Sequence, residues 1–111
     1  MSRLEIHVGG TLEDMKRHVV DAVERARRGE KHVTFESWEA LASVMTTKRF
    51  ELLRHLHRTP EVSIASLARS LKRDYKRVHE DVEALSQAGL IDRSADGLRA
   101  DYNEIRTLIA L

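Results

Sequence analysis

The chain has no cysteine, which excludes disulfides and thiolate metal sites and is compatible with a reducing, cytoplasmic setting. No apolar run approaches the ~20 residues of a membrane span, and the N-terminus lacks a signal-peptide core, so no membrane partner is expected. Aromatic residues are few: Phe35, Trp38, Phe50, Tyr75 and Tyr102 lie scattered, unlike the stacking series of a single-strand or RNA binder. Trp38 reads as core or interface. Proline occurs once, at Pro60, where it ends a helical segment. Charge of one sign is also lacking. The formal net charge is only +1, which argues against a non-specific nucleic-acid coat.

Catalytic and metal signatures are equally thin. Gly9-Gly10-Thr11 matches neither phosphate-loop pattern and reads as a plain turn. His55 and His57 are the closest of six histidines, but on a helix i and i+2 point about 200° apart and cannot share an ion. No Ser-containing nucleophile elbow is present. The expectation is therefore no enzyme, no cofactor and no metal.

What the chain does have is a patterned stretch from Ser63 to Arg99. Ser63 is placed as an N-cap, with Val62 as a staple partner for Leu67. Ile64, Leu67, Ala68 and Leu71 share a helical face. Lys72-Arg73 carries the chain round and Asp74 caps a second helix, in which Val78, Val82 and Leu85 form a buried stripe. Gly89 suits a left-handed stop, and Asp96-Gly97 suits a type I′ hairpin turn. Helix, turn, helix and two-stranded wing spell a winged helix-turn-helix.

Charge placement points to its use. Residues 46–100 carry 11 Lys/Arg against 8 Asp/Glu, while the flanking segments are each slightly acidic. The second helix opens Asp74-Tyr75-Lys76-Arg77, with Glu80, Asp81 and Glu83 later. Cations in a first turn oppose the helix dipole by about 0.3–1 kcal/mol each. The helix starting near Thr11 shows the favourable order, with Glu13 and Asp14 first and Arg25, Arg27 and Arg28 last. An unfavourable order at this helix, made correctly at another, suggests an external anion there, such as the phosphates flanking a major groove. The neighbouring positions Arg73, His79 and the cap Ser63 are candidate backbone or base contacts.

Elsewhere, residues 3–8 alternate Leu4, Ile6 and Val8 against Arg3, Glu5 and His7, as in a half-buried strand. Met15, Val19, Ala22, Val23 and Ala26 form an apolar helix face, and residues 32–35 a second strand, allowing a βαβ crossover. Ser37 starts a connecting helix. Thr46 or Thr47 caps another, with Phe50, Leu52, Leu53 and Leu56 as core candidates and Lys48 and Arg49 in its first turn, near a DNA backbone. Residues 105–111 read as a strand. With Leu4, Ile6 and Val8, its residues Ile105, Leu108 and Ile109 are the candidate dimer edge, unless both strands close the chain's own sheet.

The pieces F-E-S at 35–37, T-K-R at 47–49, L-A-R-S-L-K-R-D-Y-K-R-V-H-E-D-V at 67–82 and A-G-L-I at 88–91 resemble the winged-helix regulators of the multiple-antibiotic-resistance-regulator (MarR) superfamily. With the N-terminal strand-helix and the closing Tyr-Asn-Glu-Ile-Arg, they are similar to a small prokaryotic set of DNA-binding regulators, some antitoxin-like. The resemblance implies that Tyr75, Lys76, Arg77 and His79 face the groove and that Arg93 and Arg99 are wing contacts. Longer members carry terminal helices for dimerisation and often an aromatic effector pocket; this chain departs from them in both.

The expected fold is thus α+β: a winged helix-turn-helix (46–100) with an N-terminal strand-helix-strand extension and connecting helix (1–45) and a C-terminal strand (101–111), one compact domain overall. The expected function is a sequence-specific, double-stranded-DNA-binding transcriptional regulator, a dimeric repressor. The alternative is an antitoxin-like module that binds and masks a toxin protein, with or without autoregulation.

Overall fold

A computed structural model describes the chain except for residues 1–2, 11–12, 15, 18, 21–22 and 24–29. The protein is α+β. In order come β1 (Arg3–Val8), β2 (Glu30–Phe35), α1 (Trp38–Val44), α2 (Thr47–Arg58), α3 (Ile64–Leu71), α4 (Tyr75–Gln87), β3 (Asp92–Ser94), β4 (Gly97–Arg99) and β5 (Ile105–Ile109). Contacts divide the chain into two units, Met1–Ser43 with Tyr102–Leu111, and Val44–Asp101. Among the described residues, no helix is long and apolar enough to cross a membrane.

The first unit is built on a three-stranded sheet in the order β2-β1-β5. Both pairings are parallel, with Glu5 opposite His32 on one side and Arg106 on the other. A parallel connection needs a crossover of a dozen residues or more, and Glu13, Asp14, Lys16, Arg17, Val19, Val20 and Val23 between β1 and β2 are helical. Leu4, Ile6 and Val8 are at most 2% exposed. Full burial of such side chains contributes about 1.5–3 kcal/mol each.

Four expectations change here. β1 is the middle strand with both edges paired, so Leu4, Ile6 and Val8 offer no open edge; the free edges of this sheet belong to β2 and β5. The second face of β1 is not solvated either, because Glu5 and His7 are buried with the aliphatics. A middle parallel strand is covered on both faces, which overrides the half-buried reading of its alternation. Val19 and Val23, expected on a buried face, are 61% and 56% exposed; Met15, Ala22, Ala26, the Thr11 cap and the arginines at 25, 27 and 28 lie outside the described residues. Trp38, at the start of α1, is exposed rather than core.

The second unit packs α2, α3, α4 and the β3–β4 hairpin around Leu52, Leu53, Leu56, Leu67, Val78, Val82, Leu85, Leu90 and Leu98. Thr46 caps α2, its Oγ1 accepting from the Arg49 amide at 3.3 Å. Ser63 caps α3 through the Ser66 amide at 3.0 Å, and Asp74 caps α4 through the Arg77 amide at 3.3 Å. Val62 is 77% exposed, so the expected staple against Leu67 is not formed, and Phe50, at 44%, lies outside the core with Arg54 over its ring. α4 stops as expected: Gly89 takes φ +81° and the Leu90 amide donates to the Leu85 carbonyl at 2.9 Å.

The turn between α3 and α4 is tighter than its sequence suggests. Lys72 adopts the left-handed conformation (φ 57°, ψ 46°), which costs a non-glycine residue about 1 kcal/mol. The hairpin differs by one residue from the type I′ expectation. Ser94 pairs with Gly97, so Ala95 and Asp96 form the turn, and neither has the positive φ that type I′ requires. Gly97 opens β4 with φ +125°, and a Cβ there would collide with the Glu61 carbonyl oxygen. That close approach lets Glu61 bridge to Leu98 by two backbone hydrogen bonds, adding a third strand position to the hairpin.

Candidate nucleic-acid interface

The starts of α2, α3 and α4 border two clefts of the second unit. One, of about 540 Å³, is lined by Thr46, Lys48, Arg49, Arg73, Asp74, Arg77, Glu80 and Asp81, so it joins the first turns of α2 and α4. The other, of about 310 Å³, joins the start of α3 to Tyr75 and the hairpin through Val62, Ser63, Arg93, Ser94 and Gly97, among others. Neither α2, α3 nor α4 has an acidic residue in its first turn. Each helix N-terminus carries about half a positive charge on its free amides, and here cations are added to two of them.

The expected contact residues fall into two groups. Lys48, Lys76 and Arg77 are exposed, and none of these side chains has an ion pair among the described residues. Tyr75 is 53% exposed beside His79, their rings 6.0 Å apart, and His79 is only loosely placed by Glu83 at 3.9 Å. Arg99 is exposed, 3.9 Å from Asp101. Ser63 is exposed but its hydroxyl already caps α3.

Arg49, Arg73 and Arg93 have structural engagements instead. Arg49 donates to Asp81 at 2.9 Å and to the Val44 carbonyl at 3.2 Å. Arg73 donates to the Lys48 carbonyl at 3.0 Å and to Glu51 at 2.7 Å, holding the α3–α4 turn against α2. Arg93 donates to Glu83 at 2.6 Å, tying the hairpin to α4, and its hydrogen bond and charge hold the Glu83 carboxyl below its ordinary range. An arginine already satisfied by a carboxylate fixes geometry more than it attracts an anion.

Between α2 and α3 lies a buried network that the local sequence pattern does not signal. Glu61 is buried, accepting from Ser66 at 2.8 Å and lying 2.8 Å from His55 Nε2. Burial alone pushes its carboxyl up, but hydrogen bonds from Ser70, His55 and Ser66 and the His55 charge together outweigh this and lower it. Glu61 follows the chain's only proline and precedes the Ser63 cap, which reads locally as a loop; its long-range pairing with Leu98 is not visible there.

The class is thus a small α+β protein whose second unit presents three helix starts and exposed cations on α2 and α4. Residues 44–107 match the HVO_A0114 family, and the chain belongs to that family. No curated protein and no solved structure matches the chain.

Proposed function

We propose that residues 44–101 are a winged helix-turn-helix and that the protein is a cytoplasmic, sequence-specific DNA-binding transcriptional regulator, a repressor acting as a dimer. α4 is the recognition helix, entering the major groove with its N-terminus, and the β3–β4 hairpin is the wing. The observation that carries this reading is the exposed pair Lys76 and Arg77 in the first turn of α4, free of acidic partners among the described residues and set against the helix dipole. Phosphate neutralisation supplies affinity, and Arg77 and Lys76 supply specificity through guanine edges. Arg49, Arg73 and Arg93 hold the reading elements in place.

Selection from a random double-stranded DNA pool tests this. The full chain should enrich a defined motif, and the Lys76→Ala, Arg77→Ala variant should enrich none. An unenriched pool with the folded wild type would refute the DNA reading.

A second reading, an antitoxin-like module that masks a toxin protein, is favoured by β5. Its Leu108 and Ile109 are about half exposed on a strand paired on one side only. Such an edge suits strand addition by a partner.

A further inference from the structure

The polar face of β1 holds a cluster that DNA binding does not use. Alternation places Glu5 and His7 on one side of the strand, and the parallel register sets His32 of β2 opposite Glu5. The three side chains are 7%, 4% and 4% exposed. His7 Nε2 lies 2.9 Å from His32 Nδ1 with the rings stacked, and 3.8 Å from Glu5 Oε1. One ligand atom from each residue falls within 4.8 Å of the others.

We propose that Glu5, His7 and His32 form a binding site for a first-row divalent transition-metal ion, zinc by ligand type. Two nitrogens bound to one ion at about 2.0–2.1 Å, about 90–110° apart, are separated by about 2.9–3.4 Å. The imidazole pair already has that spacing, so the Glu5 carboxylate, 3.8 Å from His7 Nε2, is the group that must close in. In the absence of an ion the two facing nitrogens need a shared proton; a cation replaces it and accepts both lone pairs.

The second imidazole nitrogen of His32 supports this reading. His32 Nε2 is buried, makes no hydrogen bond among the described residues, and lies 3.8 Å from Glu30 Oε2. A histidine that ligates through one nitrogen commonly donates its other N–H to a carboxylate, which fixes the tautomer and the ring. Glu30 is placed for that task once Nδ1 is bound. Two imidazoles with one carboxylate disfavour magnesium and calcium, which take oxygen ligands, and leave at least one position open on the ion.

The test is titration of the chelator-treated full chain with Zn²⁺, and with Co²⁺ as a spectroscopic probe. One equivalent should bind per chain, with imidazole nitrogen resonances of His7 and His32 shifting in the wild type. His32→Gln and Glu5→Gln, each shown folded by circular dichroism, should lose affinity by about a hundredfold or more, whereas His57→Gln should bind as the wild type does. Absence of stoichiometric binding by the wild type overturns the proposal. Unshifted His7 and His32 resonances on zinc addition, or wild-type affinity in folded His32→Gln, overturn it as well.

Discussion

Arg49 Nε and Asp81 Oδ1 lie 2.9 Å apart, each side chain about one-fifth exposed, and join the first turn of α2 to the middle of α4. A charge-assisted hydrogen bond of this kind contributes about 1.5–3 kcal/mol when its partners are largely shielded. Arg49→Ala should therefore lower the unfolding free energy by about 1–3 kcal/mol and soften the position of α4. A double-mutant cycle with Asp81→Asn, read by urea denaturation, isolates the pair; zero coupling would show that the contact is incidental.

Lys76 and Arg77 should behave in the opposite way. Removing two exposed cations from the positive end of α4 leaves stability unchanged or raises it by a few tenths of a kcal/mol each, while the proposed specific DNA binding is lost. Thermal melting and gel-shift affinity on one preparation check both halves. A variant that loses its fold along with binding would remove the support this pair lends to the DNA reading.

The two hairpin arginines separate by their partners. Among the described residues Arg99 has only a 3.9 Å approach to Asp101, whereas Arg93 is held at 2.6 Å by Glu83. Neutralising Arg99 should weaken binding to all sequences alike and reduce the salt slope by roughly 0.9 for one lost phosphate contact. Arg93→Ala should instead loosen the hairpin from α4. An unchanged salt slope in Arg99→Ala would show that the wing stands off the backbone.

Glu61 makes stability depend on acid. Its folded-state carboxyl titrates below its ordinary value of 4.5, so the stabilisation is present above that pH and fades as pH falls through the lower folded value. Denaturant midpoints measured downward from pH 5 should fall more steeply in the wild type than in Glu61→Gln. Equal slopes would place the acid sensitivity elsewhere.

The free edge of β5 gives the proposed dimer its joint. Leu108→Lys with Ile109→Lys should yield a folded monomer with weakened binding to a two-fold-symmetric site, half-sites about 34–36 Å apart. Light scattering reads the outcome. A wild type that is already monomeric at micromolar concentration, yet protects such a site, would rule out this joint.

Local patterns are legible wherever a residue's role is set by near neighbours. The caps Thr46, Ser63 and Asp74, the stripe Val78, Val82 and Leu85, and the Gly89 stop all follow from spacing within a helix. Local pattern misleads where a distant strand decides. Glu5 and His7 alternate as solvent-facing residues do, and only the addition of β5 beside β1 makes that strand a middle one. Gly97 announced a turn, but its missing side chain serves the approach of Glu61. The inverted charge on α4 was legible because it departs from a local rule; the tethers of Arg49, Arg73 and Arg93 were not, because their carboxylates lie 32, 22 and 10 residues away.

The discontinuity of the first unit has a consequence during synthesis. β1 and β5 are direct partners, yet they are separated in the chain by the whole of Val44–Asp101. At about 5–20 residues per second, a ribosome needs roughly 5–20 s to travel from one to the other. For that interval the nascent β1 has a bare edge and an apolar face, while the intervening unit already holds everything its own core requires. The bare edge of β1 is therefore open to chaperones and to mispairing until β5 has been made.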